Sequence, residues 1–105
     1  MGKLLHRHNN FIVIEEENKR GVVLINTEGK YENHGHLKRL ETALMMINLI
    51  ERRIIPKSNY LRGTAIRVAL DERYVQAVKD KIDKDSQKQH FINVNKGVVR
   101  KIQSR

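Results

Sequence analysis

One long apolar segment, running from Leu37 to Ile55 (LKRLETALMMINLIERRII), constrains the fold most strongly. Its large aliphatic residues recur every three or four positions, which is the spacing of one face of an α-helix. They are Leu37, Leu40, Leu44, Ile47, Ile50 and Ile54. Met45, Met46 and Leu49 widen the apolar face, as in a helix that is covered on more than one side. We therefore predict a buried packing helix that Pro56 ends, because proline lacks a backbone donor.

Length and composition limit the class of protein. The chain has 105 residues, which fits one small domain. It has no cysteine, so disulfides, a thiolate nucleophile and cysteine-bound zinc are excluded. Its apolar runs are too short for a membrane span, and residues 1–10 lack the apolar core of a signal peptide. These features predict a cytoplasmic protein with no membrane partner and no cofactor.

Two short runs of β-branched residues precede the helix. Phe11–Glu16 (FIVIEE) and Gly21–Asn26 (GVVLIN) flank a polar turn, so we expect a β-hairpin. Both runs are continuously apolar, which suggests that both faces of the strands are covered. Residues 1–10 are expected to form a flexible lead, and Asn33 is the expected cap of a helix that begins near His34.

The chain after Pro56 has two readings. The segment SNYLRGTAIRVAL fits a helix that Ser58 caps, or a loop followed by a strand from Thr64 to Leu70. We favour the strand, because apolar residues alternate through it and Gly63 breaks the preceding turn.

The rest of the chain completes an α+β domain. Asp71 is expected to cap a second helix that ends near Asp83. A polar connection over Asp83–Gln89, a last strand over Phe91–Val94 and a basic tail then follow. The predicted order is β-β-α-β-α-β, a mostly antiparallel sheet with two helices packed on one face. In domain terms, 1–10 is the lead, 11–94 the domain and 95–105 the tail.

The formal net charge of +9 is concentrated in two segments. Residues 52–70 contain five basic and no acidic residues, and residues 86–105 again contain five basic and none acidic. The remaining 11 basic and 12 acidic residues nearly cancel. Localised positive charge favours a polyanion, and nucleic acid is the commonest polyanion that proteins bind through phosphate contacts.

We therefore predict a non-enzymatic protein that binds nucleic acid through its phosphate backbone, with DNA and RNA both open. The segment PKSNYLRGTAIR interleaves cations with small polar side chains and one aromatic ring, the residue types that track a nucleic-acid strand. An ordinary solvated loop is the alternative for this segment. The candidate contact residues are Arg52, Arg53, Lys57, Tyr60, Arg62 and Arg67, with Lys96, Arg100 and Lys101 in the tail.

The segment AIRVALDERYVQAVKDKI resembles the opening of ribbon-helix-helix DNA-binding proteins, over roughly 20 residues. The resemblance implies that outward strand residues enter the major groove, with Arg67 as the reader. The chain departs from that pattern where a polar run and FINV precede the only available second helix, NKGVVRKIQSR. An ordinary β-α unit explains the same segment.

The histidines and the clustered acidic residues suggest a further hypothesis, that the protein binds a metal ion. His6 and His8, like His34 and His36, form H-x-H pairs, which place both rings on one side of an extended segment. Two such pairs have enough nitrogens for a zinc site or for a metal-dependent nuclease. Ordinary terminal and turn histidines, and a solvated strand end at Glu15–Glu17, explain the same residues. No catalytic residue and no metal ligand is predicted.

The breadth of the apolar helix gives a rival prediction from another class. One thin sheet is too narrow to cover all of Leu37–Ile55, and an exposed remainder would favour a second copy of the chain. The alternative to nucleic-acid binding is therefore a homo-oligomeric assembly module that associates through this helix.

Overall fold

The computed structural model describes residues 2–18, 20–30 and 32–100, with side chains up to residue 87. Within these residues the chain forms four strands followed by three helices. The strands are β1 (Leu4–His8), β2 (Phe11–Glu15), β3 (Val22–Asn26) and β4 (His34–Leu37). The helices are α1 (Leu40–Glu51), α2 (Asn59–Val68) and α3 (Glu72–Arg100).

The four strands form an antiparallel meander whose spatial order is their order in the chain, β1-β2-β3-β4. Asn9 and Asn10 join β1 to β2, and Asn9 has a φ of 53°, a conformation that asparagine tolerates better than most residues. The register of the β1–β2 pairing shifts between Leu4 and His6. β1 and β4 are therefore the edges of the sheet.

One face of the sheet forms the core with the helices. Alternate strand residues are buried on this face, including Phe11, Val13, Val22, Leu24 and Leu37. The helices cover them with a second set of buried side chains. These are Ala43, Met46, Ile47 and Ile50 from α1, Ala65 and Val68 from α2, and Tyr74 and Val78 from α3.

The other face of the sheet is not covered as the sequence suggested. Ile12, Ile14, Val23 and Ile25 point away from the core and are half-buried rather than buried. The core contacts of α1 and α2 all lie on the opposite face, so none of the three described helices packs on these residues. The runs FIVI and VVLI are therefore continuously apolar although helices cover one face of their sheet.

α1 ends in a Schellman motif, in which a residue after the helix adopts the left-handed conformation. That residue is Arg53, with a φ of 60°. Its N–H donates to the carbonyl oxygen of Ile50, and the next N–H, of Ile54, donates to that of Leu49. The helix thus stops before the predicted Ile55, and Pro56 follows as a buried residue of the connection.

Several parts of the prediction are confirmed. The class is α+β and the sheet is antiparallel, with three helices where two were predicted. The β2–β3 hairpin and the central part of α1 lie where the sequence placed them. Asp71 caps α3, because its Oδ1 accepts hydrogen bonds from the N–H groups of Arg73 and Tyr74.

The predicted order β-β-α-β-α-β is wrong in four places. Leu4–His8, assigned to the flexible lead, pairs with β2. Residues 34–37, assigned to the start of the long helix, form β4. The expected strand from Thr64 to Leu70 is mostly α2, and the expected Asn33 cap instead holds α2 through the Arg67 carbonyl oxygen. Asp83–Gln89 and Phe91–Val94 continue α3 to Arg100, so part of the predicted tail is helical, while residues 101–105 lie outside the described residues.

No helix among the described residues is long and apolar enough to cross a membrane.

Candidate nucleic-acid interface

α2 is positioned by the edge strand β4. Ser58 caps the helix, since its Oγ accepts a hydrogen bond of 3.2 Å from the N–H of Leu61. Along the helix, the Tyr60 hydroxyl donates to the His36 carbonyl oxygen at 2.9 Å. The Asn33 side chain donates to the Arg67 carbonyl oxygen at 2.8 Å. These bonds fix which side of α2 faces the solvent.

The solvent-facing side of α2 carries two of the predicted contact residues. Tyr60 is 61% exposed, and Arg67 is exposed near the end of the helix. They are seven residues apart, about two helical turns, so they lie on one face. Between them is Gly63, where a Cβ atom would meet nothing within 4 Å. We call Tyr60, Gly63 and Arg67 the α2 outer face.

Arg62, one of the predicted contact residues, is buried in the fold. It is only 5% exposed. Its Nε donates to the Pro56 carbonyl oxygen at 2.7 Å, and its Nη1 donates to Asn59 Oδ1 at 3.1 Å and to Asp85 Oδ2 at 2.8 Å. The hydrogen bond from Arg62 lowers the pKa of Asp85. The three hydrogen bonds together direct the guanidinium inward, away from any phosphate.

Arg53 is also engaged within the fold. Its Nε donates to Asp71 Oδ2 at 2.7 Å, which ties the end of α1 to the start of α3. The pKa of Asp71 is lowered by the N–H of Tyr74 and by Arg53. Arg52 at the end of α1 and Lys57 before α2 are exposed. Lys96 and Arg100 lie in α3, and Lys101 lies outside the described residues.

The resemblance to ribbon-helix-helix proteins fails at its first element. That resemblance requires a strand at Thr64–Leu70, but residues up to Val68 belong to α2. Arg67 is therefore exposed on a helix rather than on a ribbon. The segment that was predicted to join a strand to a helix instead connects α2 to α3.

The two histidine pairs lie on opposite edges of the sheet. His6 and His8 are in β1, whereas His34 and His36 are in β4. His34 and His36 do share one side of their strand, as the spacing predicted, with ring centroids 5.2 Å apart. His36 pairs with Glu16 at 2.9 Å, and His8 pairs with Glu51 at 2.8 Å. In the part of the chain that is described, no three histidine or acidic side chains converge as a metal site.

Most of the apolar stripe of α1 is buried in the core. Met46, Ile47 and Ile50 are at most 4% exposed, and Leu49 is half-buried. Of the large apolar residues of α1, Met45 is the one that is substantially exposed. The geometry thus leaves little of α1 for a second copy, and the uncovered aliphatic residues are on the sheet instead.

Comparisons with protein-family models, with curated proteins and with solved structures found no match to this chain.

Proposed function

We propose that this protein binds nucleic acid through the phosphate backbone, with the α2 outer face as a contact surface. The observation that carries the proposal is the pairing of an exposed ring at Tyr60 with an exposed guanidinium at Arg67, two turns apart on one helix. The open space at Gly63 lets a strand approach the helix closely between them.

The chemistry of these groups suits a nucleic-acid strand. A guanidinium makes charge-assisted, often bidentate hydrogen bonds to phosphate oxygens. An aromatic ring stacks on a base without regard to sequence. Lys57 precedes the amino terminus of α2, where the helix dipole also favours an anion. Residues 52–70 contain no acid to repel phosphate.

Two further groups of cations belong to the proposal. Arg52 and Lys57 are exposed on the connection that precedes α2. Lys96 and Arg100 in α3, together with Lys101, belong to the second basic segment of the chain. In our proposal both groups contact phosphate and add affinity that does not depend on sequence.

Salt dependence tests the proposal and counts the contacts. Fluorescence anisotropy would measure the Kd of the full chain for labelled single- and double-stranded DNA and RNA at about 50 and 200 mM salt. Three phosphate contacts, by Arg52, Lys57 and Arg67, weaken binding to duplex about 40-fold between these salts, and six contacts weaken it about a thousandfold. Absence of binding at 50 mM contradicts the proposal.

Matched variants test the surface itself. We expect Arg67→Glu to weaken binding at least tenfold and to reduce the salt dependence. Arg20→Glu makes the same charge change at an exposed position in the β2–β3 turn, and we expect it to change the Kd by no more than about twofold. Equal losses in the two variants would mean that overall charge, not the α2 outer face, determines binding.

The stacking role of Tyr60 has its own control. Tyr60→Phe keeps the ring and removes only the hydrogen bond to the His36 carbonyl oxygen. We expect Tyr60→Leu to weaken single-strand binding by about tenfold and Tyr60→Phe to bind as the wild type does. If Tyr60→Phe binds as weakly as Tyr60→Leu, the residue acts by holding α2 on β4 rather than by stacking.

A further inference from the structure

The sheet face opposite the helices presents a compact aliphatic block, which we call the open face. Ile12 is paired directly across from Ile25, and Ile14 directly across from Val23. These four side chains are half-buried, although the helix residues described in the core all belong to the other face of the sheet. Directly paired side chains on adjacent strands are in contact, so the four form one apolar surface.

A trough of about 660 Å³ runs along this face over β3 and β4. Ile14, Val23 and Ile25 contribute to its floor, and His34 and His36 line it along β4. Glu16 and Glu17 line one end, where β2 leaves the sheet. Lys30 lines the other end, in the turn after β3. The five residues of β3 separate the ends by roughly 17 Å.

We propose that a second copy of this chain packs on the open face. A two-fold axis that lies between two facing sheets, perpendicular to their strands, reverses the trough of one copy relative to the other. The acidic end of each trough then faces the partner's Lys30, and each aliphatic block faces its symmetry mate. The charged contact is made twice, and the two aliphatic blocks meet once across the axis, as an isologous interface requires.

The resulting assembly is a two-sheet sandwich with a helix layer on each outside. Facing sheets pack about 10 Å apart with their strands rotated by about 30°, which the short strands and the natural sheet twist allow. Four strands of this length present roughly 300 Å² of flat surface per copy. An interface of this size belongs to the weak class, so we expect a dimer that forms at tens to hundreds of micromolar.

Charge reversal with rescue is the decisive experiment. Sedimentation velocity of the full chain, from about 5 to 500 μM and with EDTA present so that histidine-bound metal plays no part, would give the dimer Kd. Lys30→Glu and Glu17→Lys are changes at exposed positions. We expect each to raise the dimer Kd about tenfold, because each puts like charges together twice.

The double variant, Lys30→Glu with Glu17→Lys, restores the opposite charges, and we expect its dimer Kd to return to within about threefold of wild type. Lys79→Glu, an exposed change on α3, controls for net charge and should leave the dimer Kd unchanged. Circular dichroism would verify that each variant folds.

Three results overturn the proposal. A monomer at every concentration excludes a second copy as the occupant of the open face and points to a different protein there. A dimer that responds to Lys79→Glu as strongly as to Lys30→Glu has its interface elsewhere. A double variant that fails to recover shows that the two charged ends do not face each other.

Discussion

Arg62 is a cation at a position where the packing of α2 would accept an apolar residue. Ala65 and Val68, about one and two turns further along the helix, are completely buried, and Arg62 lies on the same face at 5% exposure. The guanidinium is tolerated because the Pro56 carbonyl oxygen, Asn59 and Asp85 accept its hydrogen bonds. One side chain thus joins α2 to the connection before it and to α3 after it.

We expect Arg62→Ala to lower the free energy of unfolding by about 2–3 kcal/mol, because it leaves the buried Pro56 carbonyl oxygen without a donor, breaks the ion pair with Asp85 and opens a void. Urea denaturation followed by circular dichroism would measure the change. Arg67→Ala, an exposed arginine on the same helix, is the control and should change stability by no more than about 0.5 kcal/mol. Comparable losses in the two variants would contradict a structural role for Arg62.

Arg62 also explains why the sequence favoured a strand after Gly63. The buried residues of α2 have helical spacing at 62, 65 and 68, but a cation occupies the first of these positions. Because position 62 is not apolar, the remaining visible pattern was the alternation of Ile66, Val68 and Leu70 with smaller or polar residues. That alternation is the pattern of a strand. An ion pair between a buried arginine and an aspartate 23 residues away has no local signal, so the sequence alone did not reveal the helical stripe.

At the scale of elements, α2 approaches β4 closely enough to require a glycine. A Cβ atom added at Gly35 would lie 2.8 Å from Cγ2 of the buried Thr64. Gly63, in α2 itself, would meet nothing. The same substitution is therefore expected to have opposite effects at the two positions.

We expect Gly35→Ala to destabilise the protein by about 1–3 kcal/mol, because α2 must shift away from β4. Gly63→Ala should stabilise it by about 0.5–1 kcal/mol, since alanine favours the helix and limits the unfolded chain. Thermal unfolding of both variants measures the two signs. Destabilisation by Gly63→Ala would mean that α2 does not extend through residue 63.

Elements with strong local patterns were predictable, and those defined by their neighbours were not. α1, β2 and β3 carry periodic apolar residues, and Asp71 is a typical helix cap. β1 and β4 are short, polar edge strands whose pairing partners, rather than their composition, make them strands. The predicted second helix ended too early, at the polar run Asp83–Gln89, whereas α3 continues through it. No glycine or proline interrupts residues 64–96.

The candidate site was predictable only as a charge pattern. The sequence placed Tyr60 and Arg67 in one basic segment, but their common face depends on α2 being a helix. The sequence also predicted that Arg62 and Arg53 contact nucleic acid. Their hydrogen-bond partners, Asp85 and Asp71, lie 23 and 18 residues away along the chain, so local sequence did not reveal these bonds. The open face was missed because continuous apolar strands predict two covered faces.

At the scale of the whole molecule, three of the described carboxylates that join separate elements, Glu51, Asp71 and Asp85, have a pKa that hydrogen bonds lower. Asn9 and then His8 act on Glu51, which links the β1–β2 turn to α1. The Tyr74 N–H and then Arg53 act on Asp71, and Arg62 acts on Asp85. A lowered pKa in the folded state means that the unfolded chain binds protons more readily as the pH falls.

We therefore expect stability to be fully present above the unfolded pKa values, near 4, and to be lost as the pH falls through the lower folded values. Urea midpoints measured between pH 6 and pH 2.5 should decline below about pH 4. Asp71→Asn should make this decline shallower, because it removes one of the three titrating links. A constant midpoint across that range would show that these carboxylates do not couple to folding.

The separation of strands and helices along the chain has a consequence for how the protein is made. All four strands leave the ribosome before any helix does, and the last residue of α2 follows β4 by about 31 residues. At 5–20 residues per second, that interval lasts roughly 2–6 s. For that time α2 is missing from the helix layer, so α1 is the one helix available to cover the core face, and the open face has no cover. The emerging chain is therefore a natural client for ribosome-associated chaperones, and slow codons between β4 and α2 should lower its soluble yield.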